Sequence, residues 1–243
     1  MKIPFFLRRE GSDGKNPNPM MNEAGDDPIF NEQFKALRAK FEYRAEMLNC
    51  KVVAVTSSIT GEGKTVSVAN LALNLALAGR KKVLLIDVDL RKSDLAERLG
   101  ISPLPGLSEY LAGSVALKDI LRKTRTPGLY VIPAGTRITA SADMVAGEKF
   151  RSFIKEIRPQ FDMILLDTPP IIPVADTLAL RDQVDGFVFI FRTGFTPHNM
   201  FRQAVEEIGE KNILGVVLNG VEPQTEKYYH RYYGKYYRHA DAQ

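Results

Sequence analysis

The sequence predicts an α/β fold in which a single doubly wound, mostly parallel sheet carries helices on both faces. Apolar strands and helical segments alternate along most of the chain. Runs such as Val83–Ile86 and Met163–Leu166 are continuously apolar, which is typical of parallel strands covered on both faces. The first strand and helix of this series are joined by a glycine-rich turn, the usual position of a ligand site in such sheets.

Length and composition indicate an ordinary globular protein. The chain has 243 residues, of which 44% are hydrophobic and 26% charged, enough for one substantial core. Its net charge of +4 is too mild to demand nucleic acid, and we expect no nucleic-acid partner. The single cysteine, Cys50, cannot form an internal disulfide, which fits a reducing cytoplasm. No apolar run approaches the roughly 18 residues that a membrane span needs.

Three regions are expected. Residues 1–28 are rich in Gly, Asn, Pro and Asp and read as a flexible leader. Residues 29–222 contain the alternating elements and form one folded domain, and residues 223–243 form a mobile, tyrosine-rich tail.

The pattern of apolar residues places the individual elements. The predicted helices are Asn31–Asn49, Lys64–Ala78, Lys92–Leu99, Leu107–Ala112, Leu117–Leu121, Ser141–Arg158, Ala175–Arg181 and Asn199–Glu210. The predicted strands are Lys51–Thr56, Lys82–Asp87, Leu129–Pro133, Met163–Asp167, Gly186–Arg192 and Ile213–Leu218.

The turn between the first of these strands and its helix predicts an anion site. Gly61 and Gly63 allow the backbone to approach phosphate oxygens, and Lys64 and Thr65 open the helix. The free N–H groups of the first helical turn and the helix dipole attract a phosphate. Ser58 stands where the G-x-x-x-x-G-K-[ST] pattern has its first glycine. The residues expected to contact the nucleotide here are Ser58, Thr60, Gly61, Glu62, Gly63, Lys64, Thr65 and Val66.

Three aspartates complete the predicted site. Asp167 ends an apolar strand, and Asp87 and Asp89 follow another, at a spacing that puts both on the same side. Such carboxylates can hold Mg²⁺ and accept a proton from an attacking hydroxyl. Arg91 follows and is expected to pair with phosphate or with one of the carboxylates. We therefore expect ATP and Mg²⁺ as cofactors. The catalytic candidates are Lys64, Asp87, Asp89 and Asp167, and the metal ligands are Thr65, Asp87 and Asp167.

Three segments resemble the Walker A, A′ and B motifs of bacterial tyrosine kinases, the autokinases of capsule and exopolysaccharide assembly. They are residues 56–65, 84–91 and 161–170, and the Asp-x-Asp-x-Arg segment is the most specific of them. The resemblance covers about residues 30–238 and implies a P-loop NTPase fold with protein-tyrosine kinase activity. The family commonly has Pro where this chain has Thr60. We expect this difference to alter the stiffness of the loop more than its chemistry.

The resemblance also implies partners. Glu32, Lys35 and Arg38 form a charged stripe that by spacing alone reads as a solvated helix face. The stripe is similar to the family's Glu-x-x-Arg-x-x-Arg pattern, with Lys for the first Arg, which implies a homo-oligomeric ring through this helix. Asn219 is similar to the adenine-contacting Asn of the wider superfamily. A chain of this kind looks like the split form, a cytoplasmic kinase recruited to the inner membrane by a separate membrane activator.

The C-terminal tail concentrates hydroxyl groups beside basic residues. Six of the nine tyrosines lie within ten residues there. This composition fits stacking on nucleic acid, a merely solvated tail, or a mobile set of phosphate acceptors. An intact nucleotide site on the same chain favours the third interpretation, and the family ends in such a cluster and phosphorylates it between subunits. The expected acceptors are Tyr228, Tyr229, Tyr232, Tyr233, Tyr236 and Tyr237.

The leading hypothesis is an ATP-dependent tyrosine autokinase that regulates polysaccharide synthesis or export. One alternative is a positioning ATPase of the Min/Par type, which shares the fold and transfers phosphate to water. Those proteins carry a signature lysine where this chain has Ile59, and they lack a tyrosine-rich tail. A second alternative is a non-catalytic, nucleotide-dependent adaptor of a membrane polysaccharide machine.

Overall fold

The computed structural model describes residues 4–8, 28–139, 141–172 and 176–221. The strands are β1 (Pro4–Arg8), β2 (Val52–Ser57), β3 (Val83–Asp87), β4 (Arg122–Lys123), β5 (Leu129–Ile132), β6 (Met163–Asp167), β7 (Gly186–Arg192) and β8 (Ile213–Val221). The helices are α1 (Pro28–Met47), α2 (Lys64–Leu77), α3 (Leu95–Arg98), α4 (Leu107–Ala112), α5 (Leu117–Ile120), α6 (Ser141–Ala146), α7 (Glu148–Ile157) and α8 (His198–Ile208).

The described strands form one sheet in the order β1-β8-β7-β2-β6-β3-β5-β4. Neighbouring strands run parallel except for β4 and β5. Because β7, β2, β6 and β3 are adjacent, the loops that follow them meet at one edge of the sheet. This is the edge where doubly wound folds bind their ligands.

Two apolar cores confirm that helices cover both faces. Alternate residues of each strand point to opposite sides, so Val53 and Val55 belong to one core while Val52 and Ala54 belong to the other. The first core is formed with α1 and α2, and the second with α4 to α8. The predicted α/β class, with its doubly wound and mostly parallel sheet, is confirmed.

The edge strand β1 corrects one expectation. Residues 1–28 were expected to be a flexible leader, but Pro4–Arg8 pair with β8 in parallel, with Pro4 opposite Val216. The short apolar run supplies a strand, and proline is tolerated at the start of an edge strand. Residues 9–27 of the expected leader, and the expected tail from residue 223, lie outside the described residues.

Some predicted helices are shorter or interrupted. The helix predicted at Lys92–Leu99 is only Leu95–Arg98, because the side chains of the aspartates before it hold residues 89–93 in a turn. The helix predicted at Ser141–Arg158 is broken at Gly147 into α6 and α7. Within the stretch predicted as Ala175–Arg181, the structure has a short 3₁₀ helix at Leu178–Leu180. The two-residue strand β4 was not predicted.

Candidate functional site

The loop between β2 and α2 has the backbone conformation that a phosphate cradle requires. Gly61 and Gly63 both have φ of 89°, a left-handed conformation that favours glycine. A side chain on Gly63 would also collide with Asn219, because its Cβ would lie 2.2 Å from Nδ2 of that residue. Helix α2 begins directly afterwards at Lys64, so its first N–H groups face the loop.

The predicted ligand residues of the loop and of the first turn of α2 differ in exposure. Lys64 and Ser58 are buried, whereas Thr60 is exposed and Thr65 and Val66 are half-buried. The Ser58 hydroxyl has no hydrogen-bond partner among the described residues. Ser58 occupies the position of the missing glycine, so a buried polar oxygen without a protein partner lies at this point of the loop.

Glu62 is fully buried, and its carboxylate is used inside the protein. The backbone N–H of Ile59 donates to Oε2 of Glu62 at 2.6 Å, and the hydroxyl of Thr196 donates to Oε1. The side chain of Glu62 thus closes the loop on itself and ties it to the segment after β7. A contact between Glu62 and nucleotide remains a prediction for its backbone N–H.

Asn219 and Arg192 approach the same loop from the two strands beyond it. Asn219 Nδ2 donates to the carbonyl of Glu62 at 2.8 Å, and Arg192 Nη1 donates to the carbonyl of Gly61 at 2.8 Å. Asn219 Oδ1 accepts the N–H of Gly220. The structure brings Asn219 to the phosphate loop, and its contact with adenine stays a prediction.

Asp87 and Asp167 face each other on adjacent strands, since they are register partners of β3 and β6. Both are buried. Burial raises the pKa of Asp167 to about 7, against the opposing effects of Lys64 and the Thr65 hydroxyl. Burial and the charge of Asp167 raise the pKa of Asp87 well above its usual range.

The same pair of carboxylates fits a divalent cation. Oδ1 of Asp167 is buried without a hydrogen-bond partner among the described residues, and Thr65 lies beside it. Two carboxylates in a buried site repel each other, and a cation removes both the repulsion and the unsatisfied oxygen. Magnesium is typically held by one or two carboxylates together with substrate phosphates. The residues present therefore suit Mg²⁺.

Local hydrogen bonds arrange the segment after β3. Ser93 Oγ donates to Asp87 Oδ2 at 2.5 Å, and the N–H of Asp89 donates to Oδ1 at 3.1 Å. Asp89 is half-buried, and its Oδ1 accepts the N–H of Lys92 at 2.9 Å. Both oxygens of Asp87 are engaged by donors, whereas Asp89 is more accessible.

Arg91 pairs with a residue that the sequence did not single out. Its Nε and Nη2 donate to the two carboxylate oxygens of Asp176 at 3.1 and 3.2 Å. Asp176 is buried and also accepts the hydroxyl of Ser141 at the start of α6. The expected pairing of Arg91 with Asp87, Asp89 or Asp167 is not found, because Asp176 takes both of these donors. A contact of Arg91 with phosphate stays a prediction.

The residues that brace the site were missed by the sequence analysis. Most of them lie far from the motifs in the chain, although Ser93 follows the A′ segment by two residues, and none carries a spacing that would mark it. They are Ser93, Ser141, Asp176, Arg192 and Thr196.

The remaining predicted residues are surface residues of α1 or lie outside the described chain. Lys35 forms an exposed ion pair with Glu32 at 2.6 Å, and Arg38 approaches Glu42 at 3.6 Å on the same helix. These contacts are local to α1, so the ring contact stays a prediction. The six tail tyrosines lie outside the described residues.

Comparisons with known proteins decide the family. A family model described as AAA domain matches residues 50–185. Tyrosine-protein kinase CpsD of Streptococcus agalactiae is 34% identical over 200 residues, which cover 81% of this chain and 86% of that protein. The solved kinase domain of VpsO has a TM-score of 0.72 and 31% identity over 80% of this chain and 97% of that domain. This chain belongs to the bacterial tyrosine kinases.

Members of this family differ in length. The succinoglycan biosynthesis transport protein ExoP of Rhizobium meliloti is 30% identical over 86% of this chain, but the match covers only 28% of ExoP. This bacterial tyrosine kinase chain therefore corresponds to one part of that longer relative. Among the helices described here, none is both long enough and apolar enough to cross a bilayer.

A positioning ATPase shares the fold. The septum site-determining protein MinD of Pyrococcus horikoshii, solved with Mg-ADP, has a TM-score of 0.60 and 23% identity over 72% of this chain and 75% of MinD. At this identity the likeness concerns the fold alone. At the position of the Min/Par signature lysine, the kinase chain has Ile59, whose backbone N–H binds Glu62.

Proposed function

We propose that this protein is an ATP-dependent protein-tyrosine kinase that phosphorylates its own C-terminal tyrosines and thereby regulates capsule or exopolysaccharide assembly. The observation that carries the proposal is the meeting of the phosphate loop with the Asp87–Asp167 pair at one edge of the sheet. Family membership supports protein tyrosine as the acceptor, because relatives such as CpsD are named tyrosine-protein kinases.

The phosphate loop is the part that binds nucleotide. The backbone N–H groups of residues 60–65 and the Lys64 amine would hold the phosphates of ATP, whereas the Ile59 N–H is already bound to Glu62. Thr65, Asp87 and Asp167 would hold Mg²⁺, which neutralises charge on the phosphates. Asn219 is placed beside Gly63 and is our candidate for adenine contact.

The two A′ aspartates have different surroundings and therefore different proposed roles. Both oxygens of Asp87 accept internal hydrogen bonds, which restrains this carboxylate, and we assign it to the metal. Asp89 is more accessible and is our candidate for the proton acceptor. In the transfer step, the phenolic proton passes to the carboxylate and the tyrosine oxygen bonds to the γ-phosphorus. The bond from this phosphorus to the bridging oxygen breaks, and ADP leaves. A phenol with a pKa near 10 needs such an acceptor at neutral pH.

The course of β8 supports the tail as acceptor. This strand ends at Val221 at the same edge of the sheet as the site, and Asn219 within it contacts the phosphate loop. The first tail tyrosine follows seven residues later, a reach of roughly 23–25 Å for an extended chain. The tail therefore begins near the candidate site of its own chain, and transfer between subunits is part of the proposal. Each phosphate adds a charge of about −1.5 to −2 to a basic segment.

The proposal extends to partners and location. ExoP is a transport protein of succinoglycan biosynthesis, and this chain matches only a part of it. We propose a membrane protein as the activator of the kinase. We place the kinase in the cytoplasm, recruited to the inner membrane, with homo-oligomerisation through the charged stripe of α1.

The decisive experiment measures transfer to tyrosine. Purified protein is incubated with Mg-ATP, with and without candidate activator, and phosphotyrosine is detected by antibody and peptide mapping. We expect signal within residues 228–237 that is lost in Lys64→Met. It should be retained in Lys155→Met, a matched change of an exposed lysine on α7.

Two outcomes would replace the proposal. Phosphate released to water, with no phosphotyrosine even in the presence of activator, would indicate a Min/Par-type ATPase. Nucleotide binding without either reaction would indicate a non-catalytic adaptor. Signal that survives Lys64→Met would show that the phosphate loop is not the source of the transferred group.

A further inference from the structure

The turn between β7 and α8 packs directly against the phosphate loop. Phe195 in this turn lies beside Gly61, since a Cβ on that glycine would be 3.4 Å from the ring. The guanidinium of Arg192 lies over the Phe195 ring at 4.8 Å and donates to the Gly61 carbonyl. Thr196 in the same turn is buried and donates to the Glu62 carboxylate.

The hydrogen-bond directions show which group the Thr196 hydroxyl donates to. The backbone N–H of Arg192 donates to Thr196 Oγ1 at 3.2 Å, so this oxygen already acts as an acceptor there. Its single proton is then available for Oε1 of Glu62. The other carboxylate oxygen, Oε2, accepts the Ile59 N–H at 2.6 Å. Each oxygen of a fully buried carboxylate therefore has one donor, one from the loop itself and one from the β7–α8 turn.

We propose that Thr196 is a positioning residue that holds the phosphate loop in its anion-binding conformation through Glu62. The inference rests on the proposed function only in that the loop binds nucleotide phosphate. Without the hydroxyl, a buried carboxylate oxygen loses its donor, and Glu62 relaxes toward another donor or toward water. Because Glu62 also fixes the Ile59 N–H, that relaxation changes the spacing of N–H groups along the cradle.

Loss of the Thr196 hydroxyl should weaken ATP binding more than it slows phosphoryl transfer. The hydrogen bonds of the Thr196 hydroxyl go to Arg192 and Glu62, not to Asp87, Asp89 or Asp167, so the groups that would handle metal and proton are left in place. The loss of a hydrogen bond to a charged group corresponds to a roughly tenfold or greater change in an equilibrium. We therefore expect weaker nucleotide affinity with a largely retained turnover at saturating ATP.

The test compares Thr196→Val, which keeps the shape and removes the hydroxyl, with Thr196→Ser, which keeps the hydroxyl. Dissociation constants for ATP with Mg²⁺ are measured by calorimetry, and amide hydrogen exchange of residues 58–64 is measured without ligand. We expect roughly tenfold weaker binding and faster exchange for Thr196→Val. Thr196→Ser should stay within about threefold of the wild type. In the Glu62→Gln background, adding Thr196→Val should weaken ATP binding by a smaller factor than Thr196→Val does in the wild type.

Equal affinity and equal exchange in Thr196→Val and the wild type would overturn this inference, as would a Ser variant as weak as the Val variant. If Thr196→Val fails to fold, Thr196→Ala, which also removes the hydroxyl, replaces it in the same comparison with Thr196→Ser and in the Glu62→Gln background. A wild-type protein that binds ATP but never phosphorylates tyrosine would refute the proposed function and leave this inference standing.

Discussion

The phosphate loop and the A′ segment after β3 each follow a parallel strand, but they are held in place differently. The loop is fixed mainly through its backbone, with carbonyl groups of Gly61 and Glu62 bound by Arg192 and Asn219. The A′ segment is fixed through side chains, with Ser93 on Asp87 and the buried Asp176 on Arg91. This difference indicates that damage to the loop's supports should weaken binding, whereas damage to the A′ supports should slow transfer.

The largest effect is expected at the junction of the two regions, at Asp167. The change Asp167→Asn removes a proposed metal ligand and should lower tyrosine phosphorylation by about 100-fold or more. The measurement is the rate of phosphotyrosine formation at saturating Mg-ATP. Asp182→Asn, an exposed position in the chain segment after β6, is the control and should be unaffected. Retention of activity in Asp167→Asn would remove this carboxylate from the metal site.

Breaking the Arg91–Asp176 pair that supports the A′ segment should lower turnover while leaving ATP binding nearly unchanged. In Asp176→Asn, an amide N–H faces the Arg91 guanidinium, and the ion pair between buried Asp176 and exposed Arg91 is lost. We expect turnover to fall by about 10- to 100-fold while the ATP dissociation constant changes by less than about threefold. Arg91→Lys should act in the same direction, since lysine cannot bind both carboxylate oxygens in this planar geometry. A change in affinity alone would contradict the division of roles.

Stability should depend on pH through the buried carboxylates. The pKa of Asp167 is raised to about 7 in the folded protein, against about 3.9 in an unfolded chain. Its contribution to stability is therefore complete below about pH 4 and is lost as pH rises through about 7. Asp87, with its pKa raised as well, acts with the same sign. The expected loss is on the order of a few kcal/mol in the metal-free protein.

Urea unfolding of metal-free protein at pH 5 and pH 8 checks this dependence. The variant Asp167→Asn should gain stability relative to the wild type at pH 8 and gain less at pH 5. The comparison between variants removes the contribution of other titrating groups. A difference that is the same at both pH values would show that Asp167 titrates normally.

The hydrogen bond from Ser93 should have a smaller effect. In Ser93→Ala, Asp87 keeps its backbone donor but loses the 2.5 Å hydroxyl contact. We expect turnover to fall several-fold, about 3- to 10-fold, with unchanged ATP affinity. The neighbouring Lys92→Ala serves as a control for this turn, because Lys92 contributes its backbone N–H and an exposed side chain. A larger effect in the control would indicate that the turn as a whole is being disturbed.

The smallest effect on stability is expected at the charged stripe of α1. Because the Lys35–Glu32 pair is exposed, Lys35→Glu should change the free energy of unfolding by less than about 1 kcal/mol. It should nevertheless reduce assembly if α1 forms the subunit contact, which sedimentation velocity can measure. Lys155→Glu on α7 is the matched charge reversal. If Lys35→Glu assembles like the wild type, the charged stripe is a solvated helix face and not the subunit contact.

The sequence was sufficient for six of the eight described strands and for the aspartates at their ends. Apolar runs identified the strands, and Asp87 and Asp167 lie opposite each other because their strands are neighbours in a parallel sheet. The supports of the site depend on contacts between distant parts of the chain. Glu62 and Thr196 are 134 residues apart, and Arg91 and Asp176 are 85 apart. Local periodicity contains no information about such pairs.

Local competition explains the late start of α3. Asp87 and Asp89 draw Ser93 and the Lys92 N–H into a turn, and this delays α3 until Leu95. The strand at Pro4–Arg8 was missed for a different reason, since it exists through pairing with β8 more than two hundred residues away.

This pairing places the two ends of the described chain on neighbouring strands. Without residues 4–8, the outer edge of β8 would present unpaired N–H and carbonyl groups to other molecules. A trimmed protein would therefore be prone to edge-to-edge association at the very strand that leads into the tyrosines. Purification tags and proteolytic nicks near the N-terminus deserve the same scrutiny as changes to the tail itself.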